Sequence, residues 1–104
     1  MTTTPLLPTG STVEKDPAAT EWAKGIDWTD YCAERSTTIT VSQWFVSPPN
    51  ELIVHSSSIV SGSVQTQVKL SNGKSGTKYR VINTITTAAG GVDRRSFFVN
   101  VKER

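Results

Sequence analysis

Gly76-Thr77-Lys78-Tyr79-Arg80-Val81-Ile82-Asn83-Thr84-Ile85-Thr86-Thr87 is the stretch whose reading decides the fold. Successive side chains of an extended chain point to opposite faces. Tyr79, Val81, Asn83 and Ile85 therefore share one side, and Lys78, Arg80, Thr84 and Thr86 the other. β-branched residues dominate, and a period of two is the signature of a half-buried strand.

Strand signals continue on both sides of this stretch. Ser71-Asn72-Gly73-Lys74-Ser75-Gly76 is a turn built from residues that tolerate positive φ. Before it, Val64, Thr66, Val68 and Leu70 alternate with Gln65, Gln67 and Lys69, and Leu52 to Ile59 begins apolar and fades into Ser56-Ser57-Ser58. Thr38 to Val46 carries Ile39, Val41, Trp44 and Val46. Its apolar phase shifts between Val41 and Trp44, which predicts a β-bulge near Ser42-Gln43 or a strand with two apolar faces. Ser47-Pro48-Pro49-Asn50 stops that strand. After the central stretch, Ala88-Ala89-Gly90-Gly91 turns the chain, and Phe97, Val99 and Val101 line one face of a last strand that ends at Lys102-Glu103-Arg104. Short strands at 8–12-residue spacing with turns between them predict an all-β, antiparallel sandwich of about seven strands. Tyr79, three residues after a Gly and two before Val81, fits the tyrosine corner of immunoglobulin-like sandwiches, whose hydroxyl pins the incoming loop; a Tyr packed in any β core is the alternative. Trp44 is the natural core tryptophan of such a sandwich.

The first third reads differently. Residues 1–13 are rich in Thr and Pro without periodicity and predict a flexible, extended arm, leaving 14–104 as a single domain. Leu6 and Leu7 are the adhesive pair if this arm docks. Glu14-Lys15-Asp16-Pro17 reads as a turn, Ala18 to Lys24 as a short helix, and Gly25-Ile26-Asp27-Trp28-Thr29-Asp30-Tyr31 as a first strand. Trp22 and Trp28 must each pack against something. Trp28 is read as core; Trp22, nearer the arm, is the better candidate for a partner surface.

Composition narrows the function classes. Of 104 residues, 27 are Ser or Thr, which suits exposed strand faces and turns. The net charge of +2 is too small to imply a nucleic-acid partner. Its distribution is uneven: residues 1–35 carry three basic and six acidic side chains, residues 36–104 eight basic and three acidic. An acidic front and a basic body can attract each other within one molecule or between neighbours; scattered solvated charges are the alternative. The single cysteine, Cys32, excludes an internal disulfide. No apolar run approaches the roughly 20 residues of a membrane helix. The start Met1-Thr2-Thr3-Thr4-Pro5-Leu6-Leu7-Pro8 lacks the pattern of a signal peptide. The expectation is a soluble chain made in the cytoplasm, with no membrane partner, that leaves a cell only inside an assembly.

Residues that carry chemistry are few. His55 is the only histidine, and with one cysteine there is no N/S cluster for a metal. His55 and the adjacent Ser56 would point to opposite strand faces, and no nucleophile motif supports a triad through Asp27 or Asp93. Asp27, Asp30 and Glu34 lack the dense alternation of a calcium loop. Residues 71–76 have the wrong spacing for a phosphate loop and join two strands. The sequence thus predicts no enzyme, no catalytic residue, no cofactor and no metal. Arg94 and Arg95, with Lys78 and Arg80 on the adjoining strand, form a candidate basic patch. Phe98, opposite in phase to Phe97, Val99 and Val101, is expected on an outer face, where it covers a loop or meets another subunit.

Lys15-Asp16-Pro17, Ile26-Asp27-Trp28-Thr29-Asp30, and Ile39 with Trp44, followed by Gly76-Thr77-Lys78-Tyr79-Arg80-Val81, the Thr-rich run Thr84 to Thr87 and Asp93-Arg94-Arg95-Ser96-Phe97, are similar in order and spacing to a family of small tailed-bacteriophage structural proteins, the phage fibre-tail adaptors. The resemblance covers roughly residues 14–104. Tyr31-Cys32 replaces a more usual Trp-Leu, and residues 1–13 have no clear counterpart.

The resemblance implies an immunoglobulin-like module located in the virion, in its neck or tail. It would form a homo-oligomeric ring that joins tail machinery to fibres or neighbouring neck proteins. Leu6, Leu7, Trp22 and Phe98 are the expected partner-binding residues. A carbohydrate- or surface-binding immunoglobulin-like module is the alternative, and it needs exposed aromatic rings.

Overall fold

The computed structural model describes residues 6–7, 9–20, 22–49, 51–60 and 62–102. Residues 1–5 and 8 of the expected arm lie outside the described residues, as do Asn50 of the turn after Pro49 and the terminal Glu103-Arg104. Among the described residues the protein is mostly β: β1 (Thr12–Lys15), β2 (Trp22–Asp27), β3 (Ile39–Ser47), β4 (Leu52–Val60), β5 (Gln65–Asn72), β6 (Lys78–Thr87) and β7 (Val92–Val101), with one short helix, α1 (Thr29–Glu34). They form two sheets of four and three strands, ordered β1-β7-β6-β3 and β2-β5-β4. All strand pairs are antiparallel except β1 with β7. The arrangement is sandwich-like. β1 takes in Thr12 and Val13, the last two residues of the segment read as an arm.

The core lies where the alternation places it. Tyr79, Val81, Asn83 and Ile85 of β6 are fully buried, opposite Phe97, Val99 and Val101 of β7, with Trp28, Trp44, Val68 and Leu70 packed among them. Asn83 is the polar centre of this interior. Its Oδ1 accepts from Trp28 Nε1 at 3.1 Å and from Thr66 Oγ1 at 2.7 Å. Its Nδ2 donates to Ser42 Oγ at 2.9 Å and to the Gln43 carbonyl at 3.0 Å, so the amide is fully satisfied. Tyr79 extends to the sandwich end. Its hydroxyl accepts from Lys74 N–H at 2.8 Å and donates to Glu51 Oε1 at 2.8 Å, pinning the loop that leads into β6. Burial and the nearby Glu51 carboxylate raise its pKa, against the Lys74 N–H bond.

The structure departs from the sequence reading in four places, the first being Glu14 and Lys15, read as part of a turn, which pair with β7 in β1. The helix expected over Ala18 to Lys24 is not formed. From Trp22 the chain pairs with β5, Trp22 opposite Leu70 and Ile26 opposite Thr66, and this pairing overrides the alanines' helix propensity. The strand expected to reach Tyr31 stops at Asp27. Asp27 Oδ1 accepts the Thr29 N–H at 2.9 Å and the Thr29 hydroxyl, which turns the chain into α1. Tyr31 and Cys32 are both buried, a combination that adjacent residues of a helix can achieve and a half-buried strand cannot. The bulge of β3 lies between Ile39 and Val41, not at Ser42-Gln43. The extra residue, Thr40, rotates Val41 to the outer face and restores Trp44 to the inner one.

Candidate functional site

Lys15 begins the build. It is 1% exposed, and its ammonium donates to the carbonyls of Asp16 (2.9 Å), Ala19 (2.7 Å) and Asn72 (2.8 Å). Asp16 Oδ1 accepts the Ala18 N–H at 2.8 Å. Lys15-Asp16-Pro17 is thus a clamp: it turns the chain from β1 of one sheet to β2 of the other and ties the turn to the end of β5.

Leu6 and Leu7 lie against one sheet and Gly10 and Ser11 against the other. Leu6 forms a parallel bridge with Gly25 of β2, and Leu7 N–H donates to the Gly25 carbonyl at 2.8 Å. Gly10 N–H then donates to the Ser96 carbonyl, and Phe98 N–H to the Ser11 carbonyl, each at 2.8 Å, on β7. Gly25 is required where Leu6 crosses it. A Cβ there would lie 2.9 Å from Leu6 Cδ2 and 2.8 Å from the Thr66 carbonyl oxygen.

At this crossing a groove of about 260 Å³ is lined by Leu6, Leu7, Thr9, Ile26, Asp27 and Arg95. Arg95, one of the lining residues, donates from Nη1 to the Asp27 carbonyl at 2.9 Å, and its guanidinium lies 4.3 Å from the Trp28 ring centre. The Asp27 carboxyl is held below the usual carboxylate value. The Thr29 hydroxyl is the main cause, the Thr29 N–H the next, and the Arg95 charge adds to both against a small desolvation cost. Ile26-Asp27-Trp28 and Arg95-Ser96-Phe97, far apart in sequence, thus meet at one end of the sandwich.

The four expected partner-binding residues do not form one patch. Leu6 and Leu7 lie on the β2 edge, Leu6 39% exposed and Leu7 half-buried against the core. Trp22 lies on that same strand, half-buried, with Lys24 Nζ 3.9 Å above its ring. Phe98 is on the outer face of the other sheet, opposite Thr12 of β1, with Lys78 Nζ 4.7 Å from its ring centre. The basic patch expected of Lys78, Arg80, Arg94 and Arg95 loses Arg95, which turns to Asp27 and Trp28. No group of three or more His, Cys, Asp and Glu side chains is placed to hold a metal ion among the described residues.

Two features escaped the sequence reading. Gly25 stands in a strand pattern, and nothing local in the sequence marks it as the place that Leu6 crosses. Phe45 and Ile53, 55% and 38% exposed, stand on β3 and β4. The signal for Phe45 was present, since alternation sets it opposite in phase to Trp44.

No curated protein matches the chain. The family model described as "Podophage GP4 fiber-tail adaptor protein gp77" matches residues 15–100, a span that opens on the buried Lys15 and takes in Asp27, Trp28, Asn83 and Arg95. The chain belongs to this podophage fiber-tail adaptor family.

Proposed function

We propose that this chain is a non-enzymatic structural protein of a phage virion, an adaptor that joins tail and fibres. The observation that carries the reading is the family match over residues 15–100, since the name of that family implies a virion structural role. The chain's residues suit the task. Lys15, Asn83 and Arg95 each tie one sheet to the other, as a body that must bear its neighbours requires. The Leu6–Leu7 edge and the outer sheet faces remain for partners.

The finer reading is an immunoglobulin-like domain over 14–104 preceded by an arm, assembled as a homo-oligomeric ring in the neck or tail. The strand order β1-β7-β6-β3 over β2-β5-β4, the parallel β1–β7 pair, Tyr79 pinning the loop before β6 and Trp44 buried on β3 all support that fold. Leu6, Leu7, Trp22 and Phe98 are the residues through which we expect neighbouring neck, tail or fibre proteins to be held. The alternative, a carbohydrate- or surface-binding immunoglobulin-like module, is less well served at Trp22 and Phe98, whose rings each carry a lysine ammonium.

Quantitative mass spectrometry of purified particles, referenced to the portal protein, tests the proposal. A fixed ratio consistent with a symmetric ring is the expected result. Absence of the chain from intact particles would overturn it.

A further inference from the structure

We propose that the outer face of the four-stranded sheet docks a partner protein, through a segment in which carboxylates flank an apolar side chain. The strand registers assemble this face in rows across β6. Thr86 stands between Val41 of β3 and Val92 of β7, and Thr84 between Gln43 and Arg94. Ile82 follows between Phe45 and Ser96, then Arg80 between Ser47 and Phe98. Residues directly opposite on paired strands share a face. Tyr79, Val81, Asn83 and Ile85 occupy the inner face of β6, so these rows belong to the outer one.

The face is apolar where a solvated sheet face is ordinarily polar. Among the described residues five large apolar side chains are exposed, and three of them, Val41, Phe45 (55%) and Val92 (65%), stand here. Half-buried Ile82 lies directly beside Phe45. The outer face of the three-stranded sheet differs: along β5 it presents Gln65, Gln67 and Lys69, with Ser58 and Ser56 of β4 opposite the last two.

The charges of the apolar face are mostly of one sign, and that sign selects the partner. Lys78, Arg80 and Arg94 are exposed, and none of the three forms an ion pair among the described residues. Glu14, opposite Asn100 at one corner, is the carboxylate that shares their phase. Asp93 has the opposite phase and accepts the Arg94 N–H. Arg94 and Arg80 lie on either side of the Phe45–Ile82 row, roughly 13 Å apart along the strands at about 3.3 Å per residue. A fitting partner brings an apolar side chain to that row and a carboxylate to each arginine. Charge complementarity of this kind selects partners and steers their encounter. A nucleic-acid strand fits less well, because bases stack on open rings and the Phe98 ring carries the Lys78 ammonium. The inference rests on the adaptor reading for the partner's being a protein of the particle.

Two-dimensional NMR of the full chain, titrated with a synthetic peptide, tests it. In the probe threonine alternates with glutamate, leucine, glutamate and glutamate, so an extended chain sets carboxylates on both sides of the leucine. Its glutamine counterpart and oligothymidylate are the controls. Amide shifts are expected in β3, β6 and β7 and not in β4 or β5, and binding is expected to weaken as salt rises. Arg94→Glu is expected to weaken binding about tenfold. Lys69→Glu makes the same charge change on the other sheet and is expected to leave affinity within about twofold. Phe45→Ser keeps every charge and is expected to weaken binding about fivefold or more. Failure of the acidic peptide to bind, equal binding of its glutamine counterpart, or an equal loss in Lys69→Glu would each overturn the inference. Tighter binding of oligothymidylate would assign the face to nucleic acid, and self-association of the wild type through it to a second copy; either would also overturn the inference. Incorporation of Arg94→Glu/Phe45→Ser into particles at the wild-type ratio would overturn the docking face and leave the adaptor reading standing. Absence of the wild-type chain from particles, with the peptide bound at this face in solution, would do the reverse.

Discussion

Trp28 donates its indole N–H to Asn83 Oδ1 across 3.1 Å of the sandwich interior, joining the end of the three-stranded sheet to the middle strand β6 of the other. The same amide holds Thr66 of β5 and the β3 backbone at Gln43. Asn83→Leu conserves volume but strands the Trp28 N–H and the Gln43 carbonyl, each at a cost of about 1–3 kcal/mol. Urea unfolding is expected to show a loss of about 3–5 kcal/mol, a large part of the 5–15 kcal/mol typical of a domain. A loss below about 1 kcal/mol would show that water replaces the amide.

Lys15 offers a second test, because its ammonium is held by three backbone carbonyls and not by a carboxylate. Lys15→Met keeps the apolar stem and removes all three donors. We expect a loss of about 2–4 kcal/mol, with the part-buried carbonyls recovering some of the cost from water. Lys15→Arg is not expected to restore stability, since a planar guanidinium cannot aim three donors into a site shaped for a compact ammonium. Equal denaturant midpoints for Lys15→Arg and the wild type would refute the clamp.

Asp27 gives the pH dependence a sign. Its carboxyl titrates below the ordinary aspartate value, chiefly through the Thr29 hydroxyl and then the Thr29 N–H. A folded-state value below the unfolded one gives stability that is full above the unfolded value, about 4, and is lost as pH falls through the folded one. The difference in urea midpoint between the wild type and Asp27→Asn is therefore expected to be constant near neutral pH and to shrink in the acid range. Thr29→Ala should remove most of the same difference. A gap that persists unchanged into the acid range would assign the effect to packing.

The strands were legible wherever one face met a core and the other met water. Tyr79, Val81, Asn83 and Ile85 are all fully buried, and Phe97, Val99 and Val101 face them as their spacing required. Ile26 and Asp27 lie in a strand and Trp28 in the core as their pattern required, but the loss of a helix before Lys24 and the strand's end at Asp27 were not legible, because partners distant in sequence set them: Leu70 opposite Trp22, and Arg95 against Trp28. Arg95 shows the same limit for the site. In sequence it looks like one half of an Arg-Arg patch, yet alternation turns it inward at the sandwich end while Arg94 stays exposed. Which edge strands lack a partner depends on topology, and no local pattern around Phe45 or Ile53 reports it.

Gly25 tests whether Leu6–Leu7 is a docked element or a passive one. Gly25→Ala would place a methyl 2.9 Å from Leu6 Cδ2 and 2.8 Å from the Thr66 carbonyl, so one contact must open. Among the described residues Leu6 is held by one isolated bridge and is partly exposed, whereas Thr66 lies within the β2–β5 ladder, so Leu6 is the one expected to leave. Hydrogen exchange at the Leu7 amide, which donates to the Gly25 carbonyl at 2.8 Å, should then accelerate by about tenfold or more, while amides of β6 stay protected. Overall stability should fall by about 1–3 kcal/mol, as in other overpacked sites. If Leu7 exchange is unchanged and β2–β5 amides exchange instead, the strain has gone into the sheet, and the Leu6–Leu7 segment is held more firmly than the Leu7–Gly25 hydrogen bond suggests.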